Sequence, residues 1–192
     1  MSADQEPRIE ASREHLLQDV RRLQASRSYR DESRRFAIEG VRNFIHAVEH
    51  GAQLETIIVC KRLRRTPKAQ RIVRTLRKTG PPIVSISCKQ FRSIALLERA
   101  SGIAAIVHQP WRTLADCSPS HGICWLALER VRSPGNLGTV LRTSSAIGAA
   151  GVICLGDAID PFEPAWGLIS DKHSFDAIMP RFAPGSVTIK GE

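Results

Sequence analysis

From Arg35 onward the chain alternates short strand-like runs with longer runs of helical spacing, which limits it to layered α/β arrangements. RFAIEG reads as a strand. VRNFIHAVEHG then places Val41, Phe44, Ile45 and Val48 on one helical stripe and stops at Gly51, a residue suited to the left-handed position after a helix. LETIIVC is the next strand. A helix over 67–79 buries Ile72, Val73 and Leu76 and ends at Gly80, PPIVSIS returns as a strand, and a helix over 89–99 leads to the apolar strand GIAAIVHQP. This order implies a small parallel or mixed sheet covered by helices. WRTLADCSPSHG, residues 111–122, breaks the alternation with Pro, Ser and Gly and reads as a linker. ICWLALERV, a glycine-bearing turn with a helix, and GVICLG form a βαβ unit whose parallel crossover should be right-handed. Ahead of all this, Leu16, Leu17, Val20 and Leu23 recur at helical spacing, so residues 1–34 read as a helical, charged extension. Its RRLQASRSYRDESRR stretch is either a nucleic-acid contact or a solvated lead-in. The expected division is therefore 1–34, 35–110, a linker over 111–122, and 123–192.

The net charge of +9 lies wholly in the first part: 21 basic against 11 acidic residues up to position 110, and 7 against 8 beyond it. Residues 61–78, KRLRRTPKAQRIVRTLRK, carry nine basic residues and no acid. A solvated helix face is the plain reading of such a run, but this density favours phosphates, with Lys61, Arg62, Arg64, Arg65 and Lys68 as candidate contacts. Binding of that kind weakens steeply with salt. Aromatic residues make up only 5%, so single-strand base stacking is a weaker expectation than binding through backbone phosphates.

Other classes find less support. A hydrophobic content of 42% suits packed cores, no run approaches the roughly 18 apolar residues of a membrane span, and MSADQEPRIE does not read as a secretory leader, so a cytoplasmic protein without a membrane partner is expected. The five cysteines (Cys60, Cys88, Cys117, Cys124, Cys154) are scattered without a CxxC pair and read as reduced, mostly buried thiols. His46 and His50 have a spacing that can bind metal, but HAVEH lacks the glutamate of a zinc-protease helix, and a third ligand is not nearby. No metal is expected, and His50 bonding to helix-end carbonyls is the favoured reading. Asp157 and Asp160, just past a strand, could meet solvent, a cation or RNA-bound water, though loop aspartates are more often structural.

The turn and helix SPGNLGTVLRTSSAIGAAGV, residues 133–152, lack the GK[ST] ending of a phosphate loop and do not match GxGxxG. They offer Asn136, able to cap or orient; Gly135 and Gly138, the loop glycines, of which Gly138 permits close backbone approach; and Arg142. Leu137, Val140, Leu141, Ser144, Ile147 and Gly148 fall on the stripe expected to be buried. Arg142 lies off that stripe among the small residues Thr139, Thr143 and Ala146, with room to reach over the carboxyl ends of the strands, where open α/β sheets bind ligands. A surface arginine paired with a carboxylate is the alternative.

RVRSPGNLGTVLRTSSAIGA, residues 130–149, resembles the first motif of the SpoU (TrmH-type) RNA ribose 2′-O-methyltransferases of the knotted SPOUT class. SRRFAIEGVRNFIHAVEHG and ASGIAAIVHQP resemble the small RNA-binding domain that precedes the methyltransferase domain in that family, and the likeness runs from about residue 16 to 164. The resemblance implies a small α/β RNA-binding domain over 35–110 followed by a trefoil-knot, parallel-sheet domain. It implies S-adenosylmethionine as donor, a ribose 2′-hydroxyl in structured RNA as acceptor, ribosomal RNA more than transfer RNA, and a homodimer. Asn136 takes the place of the motif asparagine and Arg142 that of the catalytic arginine. Glu39 and Arg42 take the places of the amino-domain glutamate and arginine, with Arg35 beside them as a further RNA contact. A guanidinium holds its proton too firmly to be a good base, so Arg142 is expected to fix the ribose and adjacent phosphate, with Asn136 holding it in place.

After Pro164 the sequence AWGLISDKHSFDAIMPRFAPGSVTIKGE carries neither the N-E-x-x-G-type loop nor the S-L-N-V-S-V-A-like helix that the resemblance calls for. Those segments make the knot and most of the donor pocket. The methyltransferase domain over 123–192 is therefore expected to be incomplete, as in a truncated or frame-shifted member or a degenerate paralogue, with 165–192 divergent and poorly ordered or adventitiously packed and its strands short of sheet neighbours. Residues that would bind the cofactor are not identified. Two functions stay open: an RNA methyltransferase, inactive in this form, or a noncatalytic RNA-binding protein of the same descent.

Overall fold

The computed structural model describes residues 5–62, 66–112, 122–129, 131, 133–155, 160–164 and 187–190. They fall into two compact units, Met1–His108 and Gln109–Glu192.

The first unit runs α1 (Gln5–Ala25), α2 (Arg27–Ser33), β1 (Arg35–Glu39), α3 (Val41–Glu49), β2 (Leu54–Val59), α4 (Pro67–Thr79), β3 (Ile83–Ser85), α5 (Cys88–Arg92) and β4 (Ile103–His108). Its sheet has the order β1-β4-β2-β3 and is mixed: β4 pairs antiparallel with β1 and β2, whereas β2 and β3 are parallel. IAAIVH of β4 is buried from Ile103 through Val107, which suits a strand bonded along both edges.

The helix read as an extension is part of this unit's core. Leu17, Val20 and Leu23 of α1 are no more than 1% exposed and pack with Ile58, Phe91 and Ile106. Its carboxyl end is closed from within the core: buried Arg30 donates from Nη1 to the Leu23 carbonyl at 2.7 Å. A buried arginine is tolerated where it meets carbonyls that the helix itself cannot satisfy. The Ser26 hydroxyl accepts from the Tyr29 amide to start α2, and Arg34 ends it in the left-handed region at φ 54°.

Helix α5 stops at Arg92, although the apolar spacing extends to residue 99. Two amides that would continue it, those of Leu96 and Leu97, donate instead to the Glu39 carboxylate at 2.6 and 3.2 Å. The carbonyls of Ser93 and Ile94 accept from Arg21 and Gln24 of α1. Tertiary bonds have replaced the helical ones.

The second unit contains β5 (Trp111–Arg112), β6 (Trp125–Leu128), α6 (Pro134–Ala146), β7 (Gly151–Cys154) and β8 (Val187–Lys190). Its sheet has the order β5-β8-β7-β6, parallel throughout. Leu137 and Leu141 of α6 cover Val152 and Cys154 of β7. Trp111 and Arg112, read above as the start of the linker, are thus a strand, while 113–121 lie outside the described residues. Most of the divergent tail, 165–186 and 191–192, also lies outside them, but Val187–Lys190 pairs with both β5 and β7. β7 therefore has a neighbour on each side, against the expected shortage. Ile147, placed on the buried stripe by spacing, is 50% exposed because α6 ends at Ala146 and Gly148 turns the chain at φ +75°. At Gly122 an added Cβ would lie 2.6 Å from the Gly148 carbonyl oxygen and the Ala150 amide, so only glycine fits between β6 and the approach to β7.

If α1 is structural in this way, Leu17→Ala should lower unfolding stability by about 2–5 kcal/mol, while Gln18→Ala on its exposed face should stay within about 0.5 kcal/mol, as read from urea denaturation.

Candidate functional site

Two groups of candidate residues come out of these units, one in each. In the first unit, α4 begins with Pro67, whose fixed φ suits the opening turn, and turns Ala69 and Val73 into the core. The same periodicity leaves Lys68, Arg71, Arg74, Arg77 and Lys78 exposed, and Lys61 and Arg62 are exposed on the turn after β2. Arg64 and Arg65 lie outside the described residues. Arg71, Arg74, Arg77 and Lys78 extend the candidate set beyond the five basic residues singled out above; their i, i+3 and i+4 spacing was the available signal. Lys68 is ion-paired with Glu49 at 2.7 Å. Both side chains are about half exposed or more, and such surface pairs contribute only ~0–1 kcal/mol, so a phosphate can replace the carboxylate at little cost.

Arg35 is placed differently. Its Nη1 donates to Asp19 and to Glu55, each at 2.9 Å, and its side chain is 18% exposed. Burial works against its charge, but the two carboxylates outweigh burial and hold the guanidinium more firmly protonated. The Tyr29 hydroxyl donates to the same Asp19 at 2.6 Å, and that bond pushes the Tyr29 phenol up. Arg22 lies 3.9 Å above the Tyr29 ring. Asp19, Tyr29, Arg35 and Glu55 line a cleft of about 360 Å³. The basic lead-in to β1 thus ties α1, α2 and β2 together.

Glu39 and Arg42 flank Gly40, which takes φ +108° to join β1 to α3. Arg42 is exposed on the first turn of α3, while Glu39 turns inward to hold the Leu96 and Leu97 amides. Burial pushes the Glu39 carboxyl up, and the amides of Leu96, Leu97 and Ser101 oppose the shift without cancelling it. Its Oε1 is buried and has no partner among the described residues. Glu39 sets the path of the loop after α5; Arg42 faces solvent. The family resemblance brought both residues forward but could not separate these roles.

His50 meets the expectation made for it: its Nδ1 lies 2.8 Å from the His46 carbonyl, and the two rings stack at 6.0 Å. Among the described residues no group of three or more His, Cys, Asp or Glu could hold a metal ion. Asp160 accepts from the Phe162 amide at 3.0 Å in a local turn; Asp157 lies outside the described residues.

In the second unit, α6 presents Asn136 exposed on its first turn and Arg142 half-buried further along. The expected bond between them is replaced by another. Arg142 Nη2 donates to Thr139 Oγ1 at 3.1 Å, and that hydroxyl donates to the Gly135 carbonyl at 3.0 Å. Six residues along a helix separate side chains by about 9 Å of rise and by about 120° around the axis, whereas the residue three back lies on the same face. Helical side chains also lean toward the amino terminus, so the chain Arg142–Thr139–Gly135 points the guanidinium toward the opening turn of α6. Thr139 is a positioning residue that the motif reading did not single out. Gly138 is buried, and a Cβ at Gly135 would meet only ordinary contact, so sterics do not require glycine at 135.

Residues 15–105 match the family model of the MRM3-like substrate binding domain. Over 80% of its length the chain is 28% identical to the 23S rRNA (uridine(2479)-2′-O)-methyltransferase of Streptomyces viridochromogenes, covering 53% of that protein. Among solved structures it resembles the AdoMet-bound rRNA methyltransferase from Sinorhizobium meliloti, with a TM-score of 0.67 and 27% identity over 91% of this chain and 61% of that one. The fold also matches the SpoU methyltransferase AviRb from Streptomyces viridochromogenes in complex with AdoMet, at a TM-score of 0.69 and 22% identity, over 91% of this chain and 62% of that one. In sequence and fold the chain is thus similar to SpoU-type rRNA methyltransferases. It spans about half the length of the curated relative and about three fifths of these solved chains. Its mixed α/β fold matches those solved structures. No helix among its described residues is long and apolar enough to cross a membrane.

Because the folded Glu39 carboxyl titrates above its unfolded range, its contribution to stability is full below the unfolded value and fades as pH rises through the folded one. Glu39→Gln keeps an oxygen for the Leu96 and Leu97 amides and removes the buried charge. The urea midpoint of the variant should therefore fall less between about pH 4 and 7 than that of the parent.

Proposed function

We propose that this chain is a SpoU-type protein that binds structured RNA, ribosomal RNA in particular, through its first unit, and that its second unit carries the ribose-facing part of a 2′-O-methyltransferase site. The observation that carries this reading is the basic face of α4 and the preceding turn, an acid-free segment within the matched substrate-binding region. Lys61, Arg62, Lys68, Arg71, Arg74 and Lys78 contact phosphates, with Arg42 a further cation on the same unit. Arg35 and Glu39 act through the shape of the fold: Arg35 by joining α1 to β2, Glu39 by holding the loop after α5. Arg64 and Arg65 belong to the same basic run.

Methyl transfer to a ribose hydroxyl needs the acceptor oxygen aligned and its proton able to leave. Arg142, anchored through Thr139, binds the ribose and the adjacent phosphate and orients the acceptor; Asn136, exposed on the first turn of the same helix, contacts the RNA beside it. The donor of the family, S-adenosylmethionine, supplies the methyl group when bound. The trefoil-knot form of the second unit, a homodimer and a cytoplasmic setting belong to the same proposal.

A noncatalytic RNA-binding role is the second reading, favoured by residues 165–192, which carry neither later motif of the family. Calorimetric titration with S-adenosylmethionine separates the two. Saturable binding near one site per chain supports the enzyme, and absence of binding in folded protein supports the RNA-binding role.

Reversing Arg71, Arg74 and Lys78 to Glu should weaken RNA binding and lower the slope of log affinity against log salt by about 1 for each lost phosphate contact. Unchanged affinity would remove α4 from the interface. Where methylation is measurable, Arg142→Ala should abolish it and leave RNA affinity within about threefold; equal loss of both would overturn the role given to Arg142.

A further inference from the structure

The first unit brings together two cysteines that the sequence keeps 28 residues apart. Cys60 Sγ and Cys88 Sγ lie 3.2 Å from one another, both as free thiols. Each is fixed by backbone bonds. Cys60 follows β2 and donates its amide to the Gly102 carbonyl at 2.9 Å, while the Ile86 amide donates to Val59 at 3.0 Å and holds the two chains side by side. Cys88 opens α5 behind a reciprocal cap, in which the Ser87 hydroxyl accepts from the Gln90 amide and the Gln90 side chain accepts from the Ser87 amide. A disulfide has its sulfurs about 2.05 Å apart, so the two sulfurs need to close by roughly 1 Å to bond. Cys60 is buried, and Cys88 is half-buried and open to an attacking reagent.

We propose that Cys60 and Cys88 form a reversible disulfide that closes the loop bearing the basic segment. All nine basic residues of 61–78 fall between the two cysteines, so one bond ties both ends of α4 and its preceding turn. With a disulfide oxidant such as glutathione disulfide, the Cys88 thiolate attacks one sulfur and expels a glutathione thiolate. Cys60 then loses its proton and displaces the second glutathione from Cys88. One protein disulfide forms, two glutathione thiols leave, and two electrons pass to glutathione. Arg62 and Arg92 favour the Cys88 thiolate, but the hydrogen bond with Cys60, followed by burial, pushes the thiol up overall, so the reaction quickens as pH rises.

The test treats the full chain with glutathione disulfide and follows it by intact mass and by peptide mapping without reductant. The expected product has lost two hydrogens, carries a Cys60–Cys88 crosslink, forms about tenfold faster in the folded chain than in concentrated urea, and reverts with dithiothreitol. Amide exchange of residues 60–62 and 86–92 slows in the oxidised form. Cys60→Ser should instead stop at a glutathione adduct on Cys88. Lasting adducts on Cys88 of the parent chain, or crosslinking no faster folded than unfolded, would overturn the proposal.

Discussion

Strand β4 carries the first unit. Because it is buried from Ile103 to Val107, its backbone groups have no water to turn to and must be bonded on both edges, which β1 and β2 do in antiparallel register. Burial on both faces also demands cover. Ala104 and Ile106 face the cluster built with α1, and α3 packs against β4 and β1. The helix at the amino end is thus as necessary to the sheet as the strands, and Arg30, placed inside that cover, satisfies the end of α1 where water cannot.

Charge is sorted by the same geometry. Asp19 and Glu55 are spent on Arg35, and Glu39 on the amides of Leu96 and Leu97, so these acids stabilise the fold. The cations of α4 sit on an amphipathic helix that buries Ala69 and Val73, half-buries Ile72 and Leu76, and leaves the basic face to solvent. A unit assembled this way holds positive potential on an ordered surface, which suits a polyanion of defined shape.

In the second unit the local rule is helix geometry. Thr139 stands three residues before Arg142 and can hold it, whereas Asn136 stands six before and cannot share its face. The guanidinium is therefore preorganised by the turn that begins the helix, and its orientation depends on a hydroxyl rather than on an amide side chain.

The helix over 67–79, the strand RFAIEG, the bonding of His50 to a helix carbonyl and the βαβ order of the second unit were all legible from the chain. Each follows from periodicity or capping within a few residues. The early stop of α5, the inward turn of Glu39, the partners of Arg35 and the meeting of Cys60 with Cys88 were not legible. Each is settled by groups distant in sequence: Glu39 competes for amides 57 and 58 residues away, and parallel pairing of β2 with β3 draws two isolated thiols together. The sequence by itself determined α4, β1, the βαβ order of the second unit, the basic segment and the SpoU-like motif, because local spacing and composition encode these. The tertiary structure alone decided which charged and sulfur groups are satisfied internally and which face solvent, because that depends on the competition among distant partners for the same buried hydrogen bonds.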